Sequence, residues 1–146
     1  MSDAQYLVDN NALSGLTRGQ RQSAFLRKHC LIPQDLLYEA RGFADADLDE
    51  VNTQPVTIDI LERLKRIMAT VPIDDMSLVD LYANKGTADP VLIATALSIM
   101  DEEQQTLLPR ECVILTDDKA VRAKAWEFGV AVMTVEDFTA QVAASM

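Results

Sequence analysis

The chain has 146 residues, of which 49% are hydrophobic and 25% charged, a composition that fits one globular domain over residues 1–146 and excludes a disordered chain. Its longest apolar stretch, residues 90–100, is too short to span a bilayer, and no secretion signal is recognised, so we expect a cytoplasmic protein without membrane contact. The formal net charge of −10 disfavours a nucleic-acid binder, unless cations neutralise a cluster of carboxylates.

The first half of the chain predicts alternating strands and helices. Residues 5–8 (QYLV) predict a short strand that ends at Asp9. Residues 30–33 (CLIP) are either a very short strand or a turn, and Pro33 should begin a helix that ends at Gly42. Residues 18–30 predict one helix, with Ala24, Phe25 and Leu26 facing inward and Arg18, Arg21, Arg27 and Lys28 facing outward.

The middle of the chain predicts two helices after an acidic loop at residues 44–52. Residues 77–84 predict a short helix. Residues 57–71 predict an amphipathic helix that, with Phe43 and Val51 beside the loop, forms part of a dimer contact or of a groove for a partner protein. The expected apolar face of this helix is Ile58, Leu61, Leu64, Met68 and Val71.

The second half predicts two further strands and three helices. Residues 86–100 are apolar on every side, which is typical of a buried central helix. Residues 112–115 and 130–133 predict strands, and the helix at 117–128 should end at Gly129. Residues 134–144 predict a last helix, with Thr134 and Asp137 at capping-box spacing and Val135, Phe138 and Val142 facing inward.

The two cysteines form no recognisable motif. Cys30 and Cys112 lie far apart, and with the single histidine, His29, they cannot supply an ordinary four-ligand zinc site. We interpret both as reduced, buried thiols.

The alternation of strands and helices predicts a parallel sheet covered on both faces, a three-layer α/β/α fold. Ligands of such sheets bind beyond the carboxyl ends of the strands, where the strand order reverses. Asp9 follows the first strand, and Asp117 and Asp118 follow the strand at 112–115. If these two strands are neighbours, their aspartates point into the same crevice.

Two further acids, Glu39 and Asp89, lie among residues that should pack into the core. Four converging carboxylates repel one another unless a cation lies between them, and oxygen ligands of this kind suit Mg²⁺ or Mn²⁺. Each acid also has a structural alternative. Asp89 could cap a helix that opens at Pro90, Asp117 and Asp118 could cap the helix after them, Glu39 could pair with Arg41 or Arg63, and Asp9 could bind turn amides.

In their order, these motifs resemble the PIN-domain family. "YLVDNNALSGL" is similar to the family's opening strand and D-x-N, which Asp9 and Asn11 match. Glu39 in "LLYEA" resembles the second acidic position, and Asp89 in "GTADPVLIATAL" the third. "VILTDDKAVRAKAWEFGV" resembles the fourth motif, a strand followed by T-x-D, which Thr116 and Asp118 match. The chain departs from the family at Asn10, where threonine is common, and in its acidic loop.

The resemblance implies a Mg²⁺- or Mn²⁺-dependent ribonuclease, similar to the dimeric toxins of VapBC-type toxin–antitoxin pairs. Asp9, Glu39, Asp89 and Asp118 would then be the catalytic metal ligands, with Asn11, Thr116 and Asp117 orienting them or a water. Outward-facing cations are candidates for contacts with RNA phosphates, and a solvated helix face is the alternative for them. These cations are Arg18, Arg21, Arg27, Lys28 and Arg122.

Other phosphate chemistries fit the sequence less well. A haloacid-dehalogenase-type phosphatase needs an acid two residues after Asp9, where this chain has Asn11. The acidic pair of a receiver domain would come near the start of the chain, and no P-loop or G-x-S-x-G motif is present. The remaining alternative is a PIN-like module that has lost catalysis and acts in binding or as a scaffold.

Overall fold

The fold is given by a computed structural model that describes residues 4–9, 12, 15–21, 23–33, 52–70 and 89–145. Its strands are β1 (Ala4–Val8), β2 (Cys30–Pro33), β3 (Asn52–Gln54), β4 (Glu111–Leu115) and β5 (Ala131–Met133). Its helices are α1 (Arg18–Arg21), α2 (Ala24–His29), α3 (Ile58–Ala69), α4 (Asp89–Glu103), α5 (Lys119–Glu127) and α6 (Val135–Ser145). The predicted helices at 34–42 and 77–84, and all but the last residue of the acidic loop, lie outside the described residues.

The five described strands form one parallel sheet in the order β3-β2-β1-β4-β5, with helices on both faces. This confirms the predicted three-layer α/β/α fold. The chain runs outward from β1 to β2 and β3 on one side, and β4 and β5 extend the sheet on the other. The strand order therefore reverses between β1 and β4, which are neighbours and pair Val8 with Leu115.

The two faces of the sheet are covered by different helices. On one face the ring of Tyr6 contacts Phe138 of α6 and Phe25 of α2, with ring centroids 5.1 and 6.0 Å apart. Burial raises the pKa of the Tyr6 hydroxyl, and its hydrogen bond with Gln141 opposes that shift. Helix α4 packs against β4 and lies between α3 and α5.

The centre of the molecule is as apolar as the sequence predicts. Leu7 and Ile114, in the adjacent strands β1 and β4, are fully buried, which is typical of parallel strands covered on both faces. Leu92 and Ile93 in α4 are also fully buried, so the expected central helix is confirmed. No helix within the described ranges is long and apolar enough to cross a membrane.

The single helix expected at residues 18–30 is wrong, because the chain forms two helices there. Ser23 lies between them with an extended backbone, and its hydroxyl accepts a hydrogen bond from the Leu26 amide, which caps α2. Leu26 is buried as expected, but Ala24 is exposed.

The expected helix start at Pro33 is also wrong. Residues 30–33 form the strand β2, the first of the two alternatives for this segment, and Pro33 is its last residue, paired in register with Gln54 of β3. The strand β3 was not predicted, since Asn52, Thr53 and Gln54 are polar. A polar strand of three residues is compatible with the edge of the sheet, where one side of the strand has no neighbour in the described order.

Helix α3 is confirmed and has Thr57 as its N-cap, and most of its expected apolar face points outward. Ile60 and Ile67 are buried, whereas Ile58 and Leu61 are 77% and 53% exposed. Leu64 lies at the border of the two faces. The buried side of the helix is therefore a different one, and the expected apolar face forms a ridge that faces outward.

Both predicted helix signals near the C-terminus are confirmed. Gly129 ends α5 with a φ of +74°, and the amides of Gly129 and Val130 donate to the carbonyls of Trp126 and Ala125, the two bonds of a Schellman motif. The hydroxyl of Thr134 accepts from the Asp137 amide and caps α6. Of the residues expected to face inward in α6, Phe138 and Val142 are buried and Val135 is partly buried.

Both cysteines are free and buried, in agreement with the sequence. Burial raises the pKa of Cys30 and of Cys112 to about 12. The reactive thiolate is therefore scarce at neutral pH, and both residues act as small apolar side chains.

The carboxylate of Glu103 lies near the beginning of β4, at the end of the sheet opposite Asp9 and Thr116. Glu103, the last residue of α4, accepts hydrogen bonds from the Arg110 guanidinium at 2.8 and 3.1 Å and from the Arg110 amide at 3.0 Å. These bonds hold the pKa of the Glu103 carboxyl below its ordinary value of 4.5. They fasten the end of α4 to the residue that precedes β4.

We expect Glu103→Gln to destabilise the protein by about 1–2 kcal/mol at pH 7, because it removes charge-assisted bonds. Because folding lowers the pKa of Glu103, this stabilisation is fully present above the ordinary pKa of 4.5. It is lost as the pH falls through the lowered pKa of the folded protein. In urea titrations, the difference from wild type should therefore shrink below about pH 4. The exposed neighbour Glu102→Gln is the control, and equal losses in both variants would contradict the expectation.

Candidate functional site

The candidate site lies beyond the carboxyl ends of β1 and β4. Asp9 directly follows β1, and Thr116, Asp117 and Asp118 directly follow β4. The two strands are adjacent and parallel, which meets the condition stated for the prediction, and Asp9 and Thr116 lie at the same edge of the sheet where the strand order reverses.

A side-chain hydrogen bond joins the two strand ends. The hydroxyl of Thr116 donates to Oδ2 of Asp9 at 2.8 Å, and the Asp9 amide donates to the carbonyl of Leu115 at 3.1 Å. Thr116 is fully buried, and Asp9 is 3% exposed. A carboxylate so withdrawn from water is costly to bury without hydrogen bonds or a cation. The hydrogen bond from Thr116 offsets part of this cost.

Thr116 connects three parts of the site. Its amide donates to the carbonyl of Met133 in β5 at 3.1 Å, which continues the sheet by one residue. Its hydroxyl oxygen accepts from the Asp118 amide at 3.1 Å while donating to Asp9. The predicted role of Thr116, to orient an acidic residue, agrees with these contacts.

Asp118 caps α5, so the structural alternative for this residue is observed. Its Oδ1 accepts from the amides of Ala120 and Val121 at 2.8 and 3.3 Å. Its Oδ2 makes no hydrogen bond within the described part of the chain. Capping occupies one oxygen and leaves the other to bind a ligand.

Asp117 does not cap α5, which was the structural alternative expected for it. Its Oδ1 accepts from the Val135 amide at 3.0 Å and so binds the first turn of α6 rather than that of α5. The two adjacent aspartates therefore point to different helices. No sequence signal reveals this bond, because the two residues are 18 positions apart.

Several predicted site residues are not tested by the described structure. Glu39 and Asn11 lie outside the described residues. Asp89 is the first residue of α4, but its side chain is outside the description, as are those of Arg18 and Arg21. Those of Arg27, Lys28 and Arg122 are exposed.

Arg63, one suggested partner of Glu39, pairs with other acids. Its guanidinium binds Asp59 on the same helix at 2.8 Å and also Asp101 of α4. It therefore joins α3 to α4. These bonds lower the pKa of Asp59 and raise that of Arg63.

The chemistry of the described side chains suits a hard cation. Asp9, Asp118 and Thr116 offer carboxylate and hydroxyl oxygens, the donors that Mg²⁺ and Mn²⁺ prefer. Within the described ranges, no group of three or more histidine, cysteine, aspartate or glutamate residues could hold a metal ion. Two of the four predicted ligands, Glu39 and the Asp89 side chain, lie outside those ranges.

The fold places the protein among open parallel α/β proteins with a crevice at the strand-order reversal. No protein-family model matches the chain, and no curated protein matches it. The likeness to PIN domains therefore rests on the motifs.

Proposed function

We propose that this protein is a Mg²⁺- or Mn²⁺-dependent endoribonuclease that hydrolyses phosphodiester bonds of RNA in the cytoplasm. The observation that carries the proposal is the chain of hydrogen bonds from Asp9 through Thr116 to Asp118 at the reversal of strand order. Two acids from distant parts of the sequence are thereby held at the place where α/β sheets bind ligands. The motif order, with Glu39 and Asp89 between these acids, supports the same activity.

The proposed roles combine the contacts of Asp9, Thr116 and Asp118 with the motif matches of Glu39 and Asp89. Asp9 and Asp118 hold the cation together with Glu39 and Asp89. Thr116 fixes the orientation of the Asp9 carboxylate. The cation supplies Lewis-acid chemistry, since it acidifies water and neutralises negative charge on the reacting phosphate.

Cleavage of a labelled single-stranded RNA by the purified protein tests this activity directly. We expect cleavage with Mn²⁺ or Mg²⁺ and none with EDTA. A protein that binds Mn²⁺ but cleaves no RNA would support the silent binding module instead.

The toxin role belongs to the same proposal. Small ribonucleases of this kind act beside an antitoxin that a neighbouring gene encodes. A small upstream reading frame with a DNA-binding start and an amphipathic tail would support a cognate antitoxin for this protein.

We further propose that the outward ridge of α3 is a homodimer contact. Ile58, Leu61 and Met68 lie along one side of this helix and are exposed. Lys65 and Glu62 lie on the same side of the helix. In a twofold-related dimer, the apolar residues of the two copies can contact each other while lysine of one copy meets glutamate of the other.

We expect Leu61→Asp to shift the dimer toward monomer, measured by light scattering over a range of protein concentrations. The substitution places a charge within the apolar contact, and the exposed position should leave the stability of the monomer nearly unchanged. Leu107→Asp is the matched control, because Leu107 is also exposed but lies outside the ridge. A wild-type protein that stays monomeric at high concentration would contradict this proposal.

A further inference from the structure

A groove with a volume of about 930 Å³ runs along the outer side of α5 and the strand β5. Lys119, Arg122 and Trp126 line it at helical spacing, so the three side chains share one side of α5. The opposite side of the helix is packed, with Val121 and Ala125 fully buried. The groove is therefore a surface feature of α5 that the core does not use.

The indole of Trp126 is 85% exposed, which is unusual for the largest apolar side chain. Small residues surround it in the groove, among them Ala123, Gly129 and Ala131. They leave the indole accessible to a flat partner. An exposed aromatic face of this kind is the element on which single-stranded nucleic acids stack their bases.

The charge of the groove is opposite to that of the protein. The described residues that line it include the cations Lys119 and Arg122 and no carboxylate, although the chain has a net charge of −10. Neither cation forms an ion pair within the described part of the chain, whereas Lys124 on the same helix binds Glu127 at 2.8 Å. Unpaired cations beside an exposed indole are complementary to a phosphate backbone that carries unstacked bases.

One end of the groove is next to the candidate site in the sequence. Lys119 directly follows Asp118, and Trp126 lies seven residues further along α5, about 10 Å at the rise of an α-helix. A strand bound in the groove would therefore pass from the crevice toward Trp126. A duplex lacks the exposed base that stacking requires.

We propose that this groove binds the single-stranded RNA substrate, with one base stacked on Trp126 and phosphates on Lys119 and Arg122. The inference rests on the proposed ribonuclease function and adds the class of RNA and its path. Of the three residues proposed to contact RNA in this groove, the sequence suggested only Arg122. Lys119 and Trp126 are added by the structure.

Fluorescence tests the proposal without any substitution, because Trp126 is the only tryptophan of the chain. A short single-stranded RNA added in EDTA should quench the emission, and a duplex of the same sequence should not. Trp126→Ala should weaken single-strand binding about 5- to 100-fold, measured by anisotropy of a labelled RNA, and Trp126→Phe should retain most of it. Leu107→Ala, another exposed apolar truncation, should have no effect.

The cations are tested by the salt dependence of binding. Arg122→Gln and Lys119→Gln should each reduce the slope of log affinity against log salt by about 0.7, the value for one phosphate of a single strand. Arg66→Gln, on the exposed part of α3, should leave the slope unchanged.

The outcomes separate this inference from the proposed activity. Cleavage by wild type, with no quenching and with full affinity in Trp126→Ala, would overturn the groove and leave the ribonuclease intact. Quenching without cleavage under any metal condition would support the groove and overturn the activity. Emission that responds to protein concentration or to an acidic peptide, but not to RNA, would assign the groove to a protein partner and overturn the proposal.

Discussion

Asp9→Asn is expected to reduce metal-dependent RNA cleavage more than about 100-fold while leaving the metal-free protein at least as stable as wild type. Loss of a residue that only supports a metal ligand costs about 10- to 100-fold, so loss of a proposed ligand should cost more. Asparagine retains an oxygen that can accept the hydrogen bond from Thr116. It also removes one negative charge from the proposed cluster of acids, which would repel one another without a cation.

Melting curves with EDTA and with Mn²⁺ test the same residue without a substrate. At 100 times its dissociation constant, a metal ion stabilises the wild-type fold by about 2.7 kcal/mol, which raises the melting temperature by about 5–10 °C. Asp9→Asn should lose most of this increase. Asp137→Asn, an exposed acid in α6, is the control and should respond to Mn²⁺ like wild type.

The contrary result is equally well defined. If Asp9 only holds the turn after β1, asparagine replaces charge-assisted bonds and destabilises the protein by about 1–3 kcal/mol. The response to Mn²⁺ would then equal that of wild type. A wild-type curve that millimolar Mn²⁺ does not shift would remove the main support for catalysis.

The central part of the fold could be predicted because its signals are local and strong. The apolar run of β1 ends at Asp9, and that of β4 ends at Thr116 with two aspartates after it. A helix as apolar as α4 is stable only in the core. The rule that parallel sheets bind ligands at the reversal of strand order then predicts that the acids after β1 and β4 lie at one edge of the sheet. The hydrogen bond between Thr116 and Asp9 was not predicted.

The sequence was less informative where several placements satisfy the same pattern. Helix α3 carries two overlapping apolar faces, and which of them is buried depends on its packing with α4 and on the bond from Arg63 to Asp101. The strand β3 is polar, so only its pairing with β2 defines it. Asp117 is held by an amide of α6, a contact that depends on the tertiary fold.

The groove along α5 could have been predicted from the spacing of three residues, but the net charge of the chain argued against it. Residues 119, 122 and 126 share one side of the predicted helix, and this side carries two cations and the only tryptophan. The strongly negative total charge argued against a nucleic-acid surface. A total charge does not report a local excess of cations, and the groove provides one.

Substitutions at Asp117 and Asp118 are expected to have different effects, because the two carboxylates bind the first turns of different helices. We expect Asp118→Asn to abolish cleavage and Asp117→Asn to leave part of it. Asparagine is as good an N-cap as aspartate, so α5 should keep its cap in Asp118→Asn while the proposed metal ligand is lost. Activity and stability are thereby uncoupled at this residue.

The alanine variants complete the comparison. Asp118→Ala and Asp117→Ala should each lose about 1 kcal/mol of stability in urea titrations. The first substitution removes the acceptor of the Ala120 and Val121 amides in α5, and the second removes the acceptor of the Val135 amide in α6. Only the substitutions at Asp118 should also remove the response to Mn²⁺. If Asp117→Asn abolishes cleavage and Asp118→Asn retains it, the T-x-D assignment is wrong, and the oxygen that approaches the cation belongs to the residue that binds α6. If all four variants cleave RNA in proportion to their stability, both aspartates are helix caps, and the acid that follows β4 has no part in the reaction.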